Sequence, residues 1–231
     1  MTALQGSDNG AGNGTRPGRP TALIMDYGGV LTPPLADSFA QLGDAVGVSG
    51  ELFLKALKST YAAGDDRGTV GRLERGEIEL EEFETEFDVS LREHGGALTP
   101  GSMVTALSAA FRADSPLWGV TAHARAAGVQ TALLSNSWGT SMYPHDELAS
   151  TFDAIVISGQ VGLRKPSREI FDLTIARLGV AAEACVFVDD FAVNVDAATA
   201  LGMRGVLHVD PNQTIQELSA LFELDFTEAS Q

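Results

Sequence analysis

The stretch Ala22-Leu23-Ile24-Met25-Asp26-Tyr27-Gly28-Gly29-Val30-Leu31-Thr32 constrains the fold more than any other. A short apolar run ends on a carboxylate and then breaks at two glycines. A strand buried on both faces of a parallel sheet reads as such a continuous apolar run. In open α/β sheets ligands bind outside the carboxyl ends of the strands, so Asp26 stands where chemistry takes place. Gly28 and Gly29 let the backbone turn tightly and come close to a ligand, which makes them candidates for bordering the substrate. An aspartate after an apolar run is also a common turn or helix-capping residue. Matching pieces further along the chain decide between these readings.

From Leu35 to about Arg112 the apolar residues recur at helical spacing. Phe39, Leu42, Ala45 and Val46 share one face, and Leu52, Phe53, Ala56 and Leu57 another. A turn at Arg75-Gly76 precedes a helix carrying Phe83 and Phe87, and Met103, Ala106, Leu107 and Ala110 follow. Strands then alternate with helices. Expected strands run over Val129–Leu134, Asp153–Ile157, Cys185–Val188 and Gly205–Val209. Expected helices run over Pro116–Ala127, Ser167–Leu178, Val193–Leu201 and Thr214–Phe222. This rhythm predicts an α/β fold: a Rossmann-like parallel sheet with helices on both faces and an inserted all-helical domain. The expected division is a core over 21–34 and 113–223, and a helical domain over 35–112. Residues 1–20, with little to bury, are expected to be disordered, and 224–231 to form a loose acidic tail.

The net charge of −16 argues against nucleic acid or an anionic membrane as partner, since either needs clustered Lys and Arg. The lysines are Lys55, Lys58 and Lys165. The single cysteine, Cys185, permits no internal disulfide and reads as a small core residue. No apolar run is long enough to span a bilayer, and the first residues lack the layout of a signal peptide, so a cytoplasmic location is expected. The oligomeric state stays open.

Three strands end in polar residues: at Asp26, at Ser135-Asn136 and at Asp189-Asp190. In a parallel sheet these ends share one edge. Lys165, before Pro166 in the loop after the third strand, joins them. Carboxylates brought this close repel unless a cation lies between them. A hard divalent ion suits that need, and Mg²⁺ commonly binds through one or two carboxylates plus a substrate phosphate.

Four motifs in this order, Asp26-Tyr27-Gly28-Gly29-Val30, Ser135-Asn136, Lys165-Pro166 and Val188-Asp189-Asp190 with Asn194 following, resemble those of the haloacid dehalogenase-like (HAD) hydrolases. The glycines of the first motif and the run Gly162-Leu163-Arg164-Lys165-Pro166 are most similar to its phosphatase-like members, including the N-terminal domain of soluble epoxide hydrolases. The resemblance covers about Thr21 to Val209, and the helical insertion sits where the family places a cap. It implies a Mg²⁺-dependent phosphomonoesterase acting on a small phosphorylated metabolite through an aspartyl-phosphate. Asp26 would be the nucleophile, Ser135 a hydrogen-bond partner of the phosphoryl oxygens, and Lys165 the neutralising cation. Asn136 would help place the substrate. Asp26, Asp190 and the Gly28 carbonyl would hold the metal with support from Asp189, and Asn194 would orient the acidic loop.

Gly28 departs from the family pattern. Most family phosphatases carry there a second aspartate whose side chain is the general acid and base, a contribution of roughly 10²–10⁴-fold. Glycine keeps the backbone carbonyl and loses the acid. The resemblance leaves three readings: a substrate with a good leaving group, another donor such as His145 or Tyr143, or a binding protein with weak turnover. Family dehalogenases also lack this aspartate but lack the acidic pair too. Family phosphonate hydrolases need a cap lysine, for which Lys55 and Lys58 are the candidates. Arg67, Arg72 and Arg75 in the insertion are candidates for clamping substrate, and Trp138 for facing the site.

Overall fold

The computed structural model describes residues 18–62, 68–139 and 142–227. After β1 (Ala22–Met25) come five helices: α1 (Leu35–Ala45), α2 (Gly50–Ala62), α3 (Thr69–Glu74), α4 (Leu80–Glu93) and α5 (Ser102–Ala110). The alternation then runs α6 (Leu117–Ala126), β2 (Gln130–Ser135), α7 (His145–Thr151), β3 (Ala154–Ile157), α8 (Ser158–Val161), α9 (Arg168–Leu178), β4 (Cys185–Asp189), α10 (Ala192–Ala200), β5 (Arg204–Leu207) and α11 (Pro211–Phe222). The five strands form one parallel sheet in the order β3-β2-β1-β4-β5. This is the expected Rossmann-like arrangement, with β1 at its centre.

Side chains alternate across a strand, and this divides the core between the two faces of the sheet. Leu23, Met25, Leu133, Val186 and Val188 pack into one apolar cluster with α6, α11 and the helices that follow β1. Ala22, Ile24, Ala132, Leu134 and Phe187 pack into the other with α9 and α10. Strand β1 is wholly buried, which is why its sequence is apolar without alternation.

The register places the site. Met25 lies opposite Leu133 on one side and Val188 on the other. The Asp26 amide donates to the Val188 carbonyl at 2.9 Å, so the strand pairing carries one residue beyond Met25. Asp26, Ser135 and Asp189 therefore end three adjacent strands along one edge.

Element ends differ from expectation by up to three residues, where capping and pairing override periodicity. The last helix starts at Pro211 because Asp210 caps it, accepting from the Gln213 amide at 3.0 Å. Helix α8 lies at the start of the stretch expected as loop after the third strand, and α7 falls where no element was expected. The expected disorder over 1–20 is corrected at its end, where Pro20 is buried and the Gly18 carbonyl accepts from Arg204 Nη2; residues 1–17 lie outside the described residues. The expected loose tail from 224 is corrected likewise. Phe226 is fully buried, its ring 6.4 Å from that of Phe222 and 5.5 Å from His123. Among the described residues no helix is long and apolar enough to cross a membrane.

Candidate active site

Lys165 holds the site together. Its side chain is 1 % exposed, and its Nζ lies 2.7 Å from Asp26 Oδ1 and 2.7 Å from Asp189 Oδ2. Asp26 Oδ1 also accepts from the Tyr27 amide at 2.7 Å. Asp189 is fully buried and saturated: its carboxylate accepts from the Phe191 amide at 2.8 Å and from Asn194 Nδ2 at 3.0 and 3.1 Å, in addition to Lys165. The geometry gives Asp189 and Asn194 the task of fixing the loop after β4.

Asp190 is the contrast. Its Oδ1 is buried with no hydrogen-bond partner among the described residues. Asp26, Asp189 and Asp190 each offer an oxygen, and these oxygens all lie within 4.8 Å of one another. Three carboxylates thus share one ammonium. Burial drives the Asp26 carboxyl well above the usual carboxylate range, with Lys165 opposing and Asp189 and Asp190 adding to the rise. Burial and then Asp189 push Asp190 up to about 7, again against Lys165. Burial alone would lower the Lys165 ammonium, but its pairing with Asp189 and Asp26 outweighs that and takes it to about 12.

Gly29 was expected to border the substrate, but it is not among the residues lining the cavity. It sits at φ 79°, and a Cβ there would strike the Asp190 carboxylate. Its role is to let Asp190 approach. Gly28 does line the cavity, and a Cβ on it would meet Leu35 Cδ2 at 3.1 Å and Phe111 Cε1 at 4.0 Å. The space that an acid side chain would enter is apolar.

The cavity beside Asp26 has a volume of about 290 Å³. Asp26, Ser135, Asn136, Lys165 and Asn194 form its polar floor, and Leu35, Phe39, Phe111, Trp138, Met142 and Phe191 much of its apolar wall. Asn136 was expected to place the substrate. Its Oδ1 accepts from the Lys165 amide at 2.8 Å and its Nδ2 donates to the Lys165 carbonyl at 3.1 Å, so it clamps the backbone of the lysine on both sides. Trp138 lines the cavity, as expected.

Glu74, at the end of α3, was missed by the sequence reading. Its carboxylate lies 2.6 Å from Arg164 Nε and 3.2 Å from Asn136 Nδ2, and both Glu74 and Arg164 line the cavity. A signal was present: Glu74 shares the buried stripe of α3 with Val70, Gly71 and Leu73, so an acid occupies an apolar phase of the helix. Arg72 pairs instead with Glu82 and Glu86, at 2.8 and 2.9 Å, and Arg75 with Glu77 at 2.6 Å. Neither lines the cavity, and Arg67 lies outside the described residues. Lys55 and Lys58 are exposed on α2 away from the cavity. His145 is exposed at the start of α7, also off the cavity, whereas Tyr143 is buried with its hydroxyl 2.8 Å from Ser135 Oγ.

A family model described as haloacid dehalogenase-like hydrolase matches residues 20–202. The chain is 31% identical over 209 residues to acyl-CoA dehydrogenase family member 10 of Mus musculus, covering 87% of this chain and 19% of that protein. It is 27% identical over 209 residues to the sesquiterpene phosphatase astK of Aspergillus oryzae, covering 87% and 95%. The chain thus spans about a fifth of the mouse protein and nearly all of the fungal one. Among solved structures, a predicted HAD-like family hydrolase from Porphyromonas gingivalis superposes with a TM-score of 0.65 at 26% identity, covering 88% of this chain and 98% of that one. A HAD family enzyme from Bacteroides thetaiotaomicron, in complex with magnesium and inorganic phosphate, shares the fold with a TM-score of 0.56 at 19% identity, covering 82% and 94%.

Proposed function

This chain belongs to the haloacid dehalogenase-like hydrolase family, and from that membership we propose that it is a Mg²⁺-dependent phosphomonoesterase acting through an aspartyl-phosphate on Asp26. The observation that carries the reading is Lys165 Nζ at 2.7 Å from both Asp26 and Asp189, next to an unpartnered buried oxygen of Asp190. Three carboxylates against one ammonium leave two negative charges in excess when all are ionised. A divalent cation fits that deficit, and all-oxygen donors suit Mg²⁺. Asp26, Asp190 and the Gly28 carbonyl would hold it, with Asp189 in support. When bound, the ion neutralises charge on the phosphoryl oxygens.

The chain's own groups supply the rest. Asp26 Oδ1 is held by Lys165 and the Tyr27 amide, which leaves Oδ2 to attack phosphorus as the bond to the ester oxygen breaks. Ser135 donates to a phosphoryl oxygen, and the Lys165 ammonium stays charged throughout. With no acid at Gly28, the leaving oxygen departs unprotonated and takes its proton from solvent once the alcohol has left the cavity. Water then attacks the aspartyl-phosphate, releasing phosphate and restoring Asp26.

Residues 35–112 act as a cap in this reading: Leu35, Phe39 and Glu74 wall the cavity from the helical side and help to keep bulk water from the first step. The apolar wall suits a phosphate ester of an apolar alcohol, and the fungal relative is named a sesquiterpene phosphatase. A phosphonate hydrolase reading lacks support, since Lys55 and Lys58 are both away from the cavity.

Phosphate release from p-nitrophenyl phosphate and from an alkyl phosphate tests the proposal. Release is expected to need Mg²⁺, to stop on chelation, and to fall at least ~10³-fold in Asp26→Asn. The aryl ester should be favoured by up to ~10²–10⁴-fold, the usual worth of the missing acid. Hydrolysis indifferent to chelation or to Asp26→Asn overturns the reading.

A further inference from the structure

We propose that Tyr143 is a positioning residue: its hydroxyl donates to Ser135 Oγ, so that the serine's own proton is turned into the cavity toward the phosphoryl group. The proposal rests on the phosphomonoesterase reading and adds to it a residue that does not touch the substrate.

Tyr143 lies just before α7 and is 4 % exposed. It does not line the cavity that Ser135 lines. Its ring packs on Tyr27 with centroids 4.8 Å apart, and the Tyr27 hydroxyl lies 3.1 Å from the Phe111 carbonyl and 3.5 Å from the Met142 carbonyl. The segment that carries Tyr143 is thereby held against the residue that follows Asp26.

The direction of the hydrogen bond follows from counting protons. Each hydroxyl has one proton to give. Among the described residues Ser135 Oγ is the one polar atom within hydrogen-bond distance of the Tyr143 hydroxyl. If serine donated to tyrosine, the phenolic proton would be buried without an acceptor, at the full cost of desolvation. If tyrosine donates, both protons are served. The serine proton then faces either the Asn136 carbonyl, at a long 3.4 Å, or the cavity. A charged phosphoryl oxygen is the stronger acceptor, because bonds to ionised partners are about twice as strong as neutral ones. Tyr143 thus sets the rotor of Ser135 before substrate arrives.

A double-mutant cycle of Tyr143→Phe and Ser135→Ala on the full chain tests this. Tyr143→Phe is expected to lower kcat about five- to tenfold, with KM changed less than about twofold. In the Ser135→Ala background it is expected to change nothing further, because its effect runs through the serine alone. Equal losses in both backgrounds, or an unchanged kcat, overturn the proposal. Thermal melting gives a second readout. Ser135→Ala strands the phenolic proton, so adding Tyr143→Phe should leave stability unchanged or raise it; a further drop overturns the coupling. If the wild-type protein releases no phosphate, the phosphatase reading fails on its own. The cycle is then read on inorganic phosphate affinity by calorimetry, where the same non-additivity is expected and additive losses again overturn the proposal.

Discussion

Asp189 and Asp190 are neighbours in sequence with opposite lives. Asp189 is saturated by Lys165, Asn194 and a backbone amide, whereas Asp190 keeps a buried oxygen without a partner. Ionising Asp190 in the metal-free protein costs energy, since its value is raised to about 7 in the fold from near 4 in the unfolded chain. The folded state then holds the proton more tightly than the unfolded state. Stability is accordingly greatest below about pH 4 for this group and falls as pH rises toward 7. Mg²⁺ should reverse that fall, so its addition is expected to raise the melting temperature more at pH 8 than at pH 5. Asp190→Asn should melt a few degrees higher than wild type without metal at pH 8, at ~2–4 °C per kcal/mol for a chain of this size. It should also lose the response to Mg²⁺. Scanning fluorimetry of both proteins in EDTA and in Mg²⁺ at the two pH values checks this, and a full Mg²⁺ response in Asp190→Asn contradicts it. At this scale the sequence was legible wherever a residue closes a strand: Asp26, Ser135 and Asp189 stand at β ends because polar groups end apolar runs there. The partners were not legible. That Asn136 serves the Lys165 backbone depends on two loops meeting 29 residues apart.

Helix α3 docks on α8 through its backbone. Gly76 sits at φ 68°, and a Cβ there would run into the backbone carbonyl of Gly159. Ser158 Oγ donates to the Glu74 carbonyl and accepts from the Ser137 amide at 2.8 Å, while the Gly159 amide donates to Ser137 Oγ at 3.1 Å. These bonds join the end of β2, the start of α8 and the end of α3, and they deliver Glu74 to Arg164 and Asn136. Gly76→Ala combines a left-handed backbone, which costs a residue with a Cβ about 1–2 kcal/mol, with a backbone clash. It is expected to shift α3 and to reduce kcat/KM by about tenfold or more, while Glu74→Gln, which keeps the shape but not the charge, should reduce it less. Steady-state kinetics beside melting curves check the order, and a Gly76→Ala enzyme of wild-type activity contradicts it. The longer helices of the insertion were readable because apolar residues such as Phe39, Leu42 and Val46, or Phe83 and Phe87, recur at helical spacing within long segments that show no strand-like alternation. Helices α7 and α8 span seven and four residues, too few turns for periodicity to register, so the docking element beside the site was hidden.

At the scale of the molecule, the sequence suggests two parts and the packing joins them. Trp138, just past β2, lies 4.8 Å from the Phe39 ring and 5.0 Å from the Phe83 ring, and Phe83 is 5.5 Å from Phe87. Phe39 also meets Phe111 at 5.3 Å. Trp118 of α6 donates its indole N–H to the Leu31 carbonyl at 2.9 Å. Leu23 and Met25 of the central strand and the aromatic residues of the helical insertion belong to one contiguous apolar cluster. An insertion that shares this cluster with the sheet cannot melt first without exposing Trp138. Heating or denaturant is therefore expected to give one transition, coincident by tryptophan fluorescence and far-ultraviolet circular dichroism. Phe83 is fully buried, outside the cavity lining and on the insertion side. Phe83→Ala should cost about 3–5 kcal/mol and move that single transition down as a whole. If instead the variant splits the curve, with an early helical loss and an unchanged later step, the insertion folds on its own and the shared cluster is not what couples it to the sheet. The same coupling sets the limit on any movement over the cavity: Phe39 and Trp138 are at once wall and core, so widening the cavity between them must break packing that holds the two parts together.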